Sequence, residues 1–119
     1  MRTHPTVVYF SPSERPVPDL VAAWAEELPL PVVALHDREA VERVALRSPP
    51  ALIVIDADGS SQDGAGLCRT LKADPYTAIV PVAFVSGAHS SELVRDWFEC
   101  GADEVLTPIF APAEQRGRL

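Results

Sequence analysis

Polar side chains follow two apolar runs of the chain, where buried strands would end. Asp56 comes directly after the run Ala51–Ile55, and Ser86 comes directly after Val80–Val85. An ionised carboxylate at the tip of a buried strand is costly unless partners surround it. In open parallel sheets, such positions at the carboxyl ends of the strands form the site. We therefore predict that Asp56 is functional. The Ser86 hydroxyl either donates a hydrogen bond to an oxyanion or is an ordinary turn hydroxyl.

Other polar residues admit simpler interpretations. Asp58 and Asp63 lie in a loop of Asp, Gly and Ser residues, which are the types that favour turns and helix caps. Cys68 and Cys100 have no basic cluster around them in the sequence, so we interpret both as small buried hydrophobes. The three histidines are scattered singly, which is typical of loop and cap residues rather than metal ligands.

The elements that would position these residues alternate between two kinds of segment. Short runs rich in β-branched residues predict five strands, and amphipathic stretches between them predict four helices. The third run is apolar throughout, which favours a central strand buried on both faces. Alternation of this kind predicts a parallel sheet with helices on both sides, a three-layer, doubly wound α/β fold. The predicted strands are Thr6–Phe10, Pro31–Leu35, Ala51–Ile55, Val80–Val85 and Glu104–Leu106, and the predicted helices are Asp19–Leu28, Arg38–Leu46, Ala65–Ala73, Ser91–Cys100.

The chain length and the net charge argue against several classes of function. The 119 residues suffice for one domain, 1–119, and the formal net charge of −7 argues against binding to nucleic acid or to an anionic membrane surface. No apolar run approaches the roughly 20 residues of a membrane span, and the first residues do not resemble a secretory leader. We expect a cytoplasmic location.

Several segments together resemble the receiver domain of two-component response regulators. The matching segments are Pro50–Asp56, Asp63–Gly64, Leu67–Lys72, Ile79–Ser86 and Gly101–Thr107. The resemblance implies a flavodoxin-like sheet of strand order 2-1-3-4-5. It also implies that Asp56 accepts a phosphoryl group from a histidine kinase or phosphotransfer protein, and that Ser86 hydrogen-bonds that group. In this family, two acidic residues after the first strand help to hold Mg²⁺, and a lysine after the fifth strand pairs with the phosphoryl group.

The chain departs from this pattern at two of the four positions. No acidic pair follows the first strand, where Glu14 is the nearest carboxylate, and the lysine position is Pro108 or, shifted by one, Thr107. Each missing charge-assisted hydrogen bond to a phosphoryl oxygen removes about 1.5–3 kcal/mol of stabilisation. We therefore predict a divergent receiver, or pseudo-receiver, with weak or no phosphorylation of Asp56. Mg²⁺ would bind weakly at best, through Asp56 and Asp58.

Two other functions stay open. Asp56, Asp58 and Ser86 also resemble motifs of haloacid dehalogenase-like phosphatases, but no lysine follows Ser86. The alternative is a non-catalytic dimerisation module that regulates an attached output domain. The polar segment after Phe110 predicts a fifth helix that is short or absent, which would leave apolar surface near the fifth strand, where Val105, Ile109 and Phe110 lie. We expect a homodimer, or an output domain in a longer protein of which this chain is the N-terminal part.

Overall fold

A computed structural model describes residues 5–58, 61–87 and 91–106 of the chain. In these residues, five strands alternate with four helices. The elements are β1 Val7–Phe10, α1 Asp19–Glu27, β2 Val32–Leu35, α2 Arg38–Arg47, β3 Leu52–Asp56, α3 Ser61–Ala73, β4 Val82–Val85, α4 Ser91–Glu99 and β5 Glu104–Leu106.

The five strands form one parallel sheet in the order β2-β1-β3-β4-β5. The predicted doubly wound α/β fold and its strand order are therefore confirmed. β3 lies at the centre, and its last four residues are buried, as its continuous apolar run predicts. The exposed residues of β2 are consistent with its place at one edge of the sheet.

The two faces of the sheet carry separate apolar cores. On one face, side chains of α2, α3 and α4 pack on alternate residues of the strands, including Phe10, Ile55 and Phe84. On the other face, Val21 and Ala25 of α1 pack against the intervening strand residues. The two cores follow from the period of two in β-strands, which sends successive side chains to opposite faces. Consecutive residues at the carboxyl ends of the strands therefore point to opposite faces of the sheet.

Two helix ends carry residue types that usually begin or end helices. The Asp37 carboxylate accepts a hydrogen bond of 3.2 Å from the Glu39 N–H and caps α2. Gly101 follows α4 with φ +106°, a left-handed conformation that favours glycine.

On α4, Trp97 is buried and stacks on Phe84 with ring centroids 5.4 Å apart. Trp24 on α1 is only half-buried.

The prediction for α3 was wrong at its start. The helix begins at Ser61, four residues before the predicted Ala65. Gly64 favours a turn in the sequence, but here it is buried within the helix. A Cβ at this position would lie 2.6 Å from Ile55 Cγ2, so the glycine lets α3 approach the central strand.

The chain's single lysine, Lys72, makes its hydrogen bonds at the edge of the sheet where the strands begin. Its Nζ donates to the carbonyl oxygens of Ala78 and Val80 and to Asp103 Oδ2, at 2.9 to 3.0 Å. Asp103 also accepts a 2.8 Å bond from the Val82 N–H. This network joins α3, the start of β4 and the turn before β5, at the edge opposite Asp56.

Some predictions lie outside the described residues. These are the fifth helix, the lysine position at Thr107 or Pro108, and the apolar residues Ile109 and Phe110. Val105 is described, and it is half-buried against the core formed with α2, α3 and α4.

Candidate functional site

The parallel register brings three strand ends together. Phe10 of β1 pairs with Ile55 of β3, which places Ser11 beside Asp56. On the other side, Asp56 itself pairs with Val85 of β4, so that Ser86 follows at the same edge. The Ala57 N–H donates to the Val85 carbonyl at 3.0 Å and continues the pairing into the loop. Asp56 and Ser86 therefore lie at one edge of the sheet, as predicted.

Asp56 is buried, and both of its carboxylate oxygens accept hydrogen bonds. Oδ2 accepts from Ser11 Oγ at 2.9 Å, and Oδ1 accepts from the Asp58 N–H at 3.0 Å. The second bond is the local turn that an aspartate makes with the residue two positions on. These donors satisfy a carboxylate that burial would otherwise destabilise.

A positively charged residue lies next to these groups. Arg15 Nη1 is 3.7 Å from Asp56 Oδ1 and 3.7 Å from Asp58 Oδ2. The Arg15 side chain is half-exposed, whereas that of Asp56 is only 3% exposed. The guanidinium therefore covers the carboxylates from the solvent side. Two negative charges and one positive charge meet at this point.

Asp58 joins the loops that follow β3 and β4. Its Oδ1 accepts a 2.7 Å bond from Ser86 Oγ, and its Oδ2 accepts a 2.8 Å bond from the Gly87 N–H. The Ser86 N–H donates to the Leu106 carbonyl of β5 at 3.0 Å. Asp58 is thus more than the turn residue that its sequence context predicts.

A cavity of about 260 Å³ opens over this cluster. Its lining includes Tyr9, Arg15, Asp56 and Asp58. Burial, and then the negative charge of Asp56, raise the pKa of Tyr9 to about 12. The phenol is therefore held in its neutral form. A larger cavity of about 510 Å³ lies over the start of α2, and its lining does not include Asp56.

The residues present do not fit a magnesium ion. Across residues 5–58, 61–87 and 91–106, no group of three or more His, Cys, Asp or Glu side chains could hold a metal. Asp56 and Asp58 are the candidate ligands, and the oxygens of both already accept hydrogen bonds and lie beside Arg15. Glu14, the nearest acid after β1, is exposed. Mg²⁺ requires near-octahedral oxygen ligands at about 2.0–2.1 Å, and a guanidinium between the two carboxylates opposes it by charge.

Sequence reasoning missed Arg15 and Ser11 and predicted no role for Asp58 in holding the loop after β4. A signal was present in the form of a basic residue a few positions beyond β1, at the same edge as Asp56. For the remaining candidates, the described contacts agree with the simple interpretations. Cys68 is buried, and burial raises its pKa to about 11. His36 lies with Nδ1 3.0 Å from the Ser11 carbonyl oxygen.

Known proteins with similar sequences are response regulators. The phosphate regulon transcriptional regulatory protein PhoB of Pseudomonas aeruginosa is 26% identical over 106 residues, which are 89% of this chain and 46% of PhoB. The DNA-binding dual master transcriptional regulator RpaA of Synechocystis sp. is 28% identical over 103 residues, which are 87% of this chain and 43% of RpaA. The chain thus spans less than half the length of either relative. No protein-family model matches it.

Solved receiver structures share the fold. The beryllium fluoride-activated N-terminal receiver domain of RstA from Klebsiella pneumoniae superposes with a TM-score of 0.69 and 23% identity, covering 95% of this chain and 93% of that one. The chain therefore has the receiver fold and resembles response regulators in sequence. The resemblance predicted from the sequence is confirmed. None of the described helices is long and apolar enough to cross a bilayer.

Proposed function

We propose that this chain is a divergent signal receiver in which Asp56 is phosphorylated weakly or not at all, and which acts through contacts with other proteins. The observation that carries the proposal is the state of Asp56. Both of its oxygens accept hydrogen bonds inside a buried pocket, and the charged side chain that reaches it from the loop after β1 is Arg15 rather than an acid. Phosphoryl transfer to a carboxylate is assisted by a metal ion that neutralises the incoming group, and the acidic pair that would help to hold such an ion after β1 is absent from the sequence.

The pocket can nevertheless keep its loops in place without a phosphoryl group. Asp58 binds the Ser86 hydroxyl and the Gly87 N–H, which are donors at the start of the loop after β4. This loop leads to α4, where Leu93 and Phe98 are 38% and 46% exposed while Trp97 is buried. Apolar side chains on an exposed helix face favour a protein partner.

The partners that we propose follow from the relatives. A histidine kinase or phosphotransfer protein would recognise the carboxyl edge of the sheet, and an output domain or a second copy would contact the helices. PhoB and RpaA are each more than twice as long as the matched segment, which supports the proposal that this chain is part of a longer protein. Sedimentation of the isolated domain over a range of concentrations tests the homodimer, and a monomer at the highest concentration contradicts it.

Phosphorylation is tested by intact-mass spectrometry after incubation with acetyl phosphate and Mg²⁺. The wild-type chain should gain little or no phosphoryl mass, while a well-behaved receiver domain in the same tube should be modified. The matched control is Asp56→Asn, which removes the acceptor and keeps the size of the side chain. A Mg²⁺-dependent mass gain that Asp56→Asn abolishes would contradict the proposal.

A phosphatase function is the remaining alternative. It would use Asp56 as nucleophile and Asp58 as acid and base. The contacts disfavour it, because the oxygens of Asp58 accept hydrogen bonds from Ser86 and Gly87. We expect no turnover of an aryl phosphate with Mg²⁺. Turnover that is abolished in Asp56→Asn would support the alternative instead.

A further inference from the structure

We propose that Arg15 is a built-in cation of the Asp56 pocket, and that it makes the pocket selective against divalent metal ions. The proposal rests on the proposed function, in which the receiver works without a metal. It goes further, because it identifies Arg15 as the side chain that excludes the metal ion and predicts that removing Arg15 creates a metal site.

The Arg15 guanidinium lies close to both carboxylates, as a metal ion that bridged them would. Its Nη1 lies 3.7 Å from one oxygen of Asp56 and 3.7 Å from one oxygen of Asp58. Asp56 is the last residue of β3 and Asp58 lies in the turn that follows, and Asp58 also binds the loop after β4 through Ser86. One guanidinium therefore faces the two acids that connect neighbouring loops.

The backbone leading to Arg15 is fixed in place by the turn after β1. The Arg15 N–H donates to Ser11 Oγ at 2.9 Å, and the same hydroxyl donates to Asp56. The Glu14 N–H donates to the Ser11 carbonyl, and Glu14 itself has φ +58°, in the left-handed region that residues other than glycine rarely adopt. Pro16 then restricts the backbone on the far side of Arg15. The turn is thus built to hold this residue beside the carboxylates.

The charge of Arg15 is permanent, because a guanidinium does not lose its proton in proteins. A divalent ion approaching Asp56 and Asp58 would meet this charge and compete for the same oxygens. Without Arg15, the two carboxylates would face the cavity of about 260 Å³ with no guanidinium between them. Mg²⁺ and Mn²⁺ favour carboxylate and water ligands, and Mg²⁺ usually keeps several waters beside one or two carboxylates, so Asp56 and Asp58 would then be the protein ligands.

The test is Mn²⁺ binding measured by electron paramagnetic resonance, followed by competition with Mg²⁺. Arg15→Ala should bind Mn²⁺ at least about tenfold more tightly than the wild-type chain, since the variant has no repelling charge next to the ion. Arg15→Lys keeps the charge and should resemble the wild type. Arg43→Ala is the matched control, because it removes the same charge from a position on α2 outside the pocket.

A double variant shows where the new metal site lies. Arg15→Ala combined with Asp56→Asn should lose the gained affinity, and circular dichroism must show that each variant remains folded. Equal Mn²⁺ affinity in folded Arg15→Ala and the wild type would overturn the inference, as would a gain that survives Asp56→Asn. Phosphorylation of the wild-type chain would refute the proposed function, whereas the Mn²⁺ comparison decides the role of Arg15 by itself.

Discussion

Two glycines in α3 provide a sharp test of how the site-bearing strand is packed. Gly64 and Gly66 lie in the same helix, and an alanine at either position gains about 1 kcal/mol of helix propensity. They differ in what the added methyl group meets. At Gly64 it would lie 2.6 Å from Ile55 Cγ2 and 3.4 Å from Phe84 Cε2, whereas at Gly66 it would lie 2.9 Å from Arg38 Nη1.

The consequences for stability have opposite signs. Ile55 is fully buried and β-branched, so its methyl group cannot rotate away cheaply, and overpacking of this kind costs about 3 kcal/mol. Gly64→Ala should therefore lower the free energy of unfolding by about 2 kcal/mol after the propensity gain. Arg38 is a flexible side chain with a long 3.4 Å bond to Thr70, so it can move aside. Gly66→Ala should raise the free energy of unfolding by about 0.5–1 kcal/mol.

Urea unfolding followed by circular dichroism measures both changes in one series. The two variants should differ by about 2.5–3 kcal/mol, which corresponds to roughly 10 °C in the midpoint of thermal unfolding. Unchanged slopes of the free energy with urea would show that the comparison concerns the native state. If Gly64→Ala proved as stable as Gly66→Ala, the close approach of α3 to β3 would be wrong.

Further predictions concern groups outside the carboxylate cluster. Lys72→Met should lower the free energy of unfolding by about 2–4 kcal/mol in urea, because two carbonyls and Asp103 lose their donor; a loss no larger than that of Asp103→Asn would refute this. In Tyr76→Phe, absorbance at alkaline pH reports Tyr9 alone. Tyr9 ionises more readily unfolded, near pH 10, than folded, near pH 12, so stability should fall as the pH rises between these values; a folded protein with a fully ionised phenol at pH 10 contradicts it. The Cys68 thiol should resist alkylation at about pH 8 until the chain unfolds, since burial raises its pKa to about 11; prompt labelling of the folded chain would disprove its burial.

The fold could be predicted because its main signals are local. The apolar run of β3 predicts a buried central strand, which is confirmed, and the Asp37 cap and the glycine after α4 likewise act within a few residues. The start of α3 was missed for the opposite reason. Gly64 favours a turn locally, and only the tertiary contact with Ile55 explains its place in a helix.

The candidate site could be predicted only in part. Asp56 and Ser86 were identified from their positions after strands, which the parallel topology brings to one edge. The contact of Arg15 with the carboxylates could not be predicted from the sequence, because it depends on a turn with a left-handed Glu14 and on side chains at the end of β3 and in the turn after it, far along the chain. The role of Asp58 likewise depends on a loop that follows a different strand.

The central claim is that Arg15, rather than a metal ion, balances the carboxylates of the Asp56 pocket. The most direct measurement is a titration of the ¹⁵N-labelled wild-type domain with Mg²⁺, alone and with beryllium fluoride, followed through the amide resonances of Asp58 and Gly87. These amides donate to the two carboxylates and would report an ion at either one. We predict that neither resonance shifts in a saturable way. Saturable shifts of both that disappear in Asp56→Asn would contradict the account.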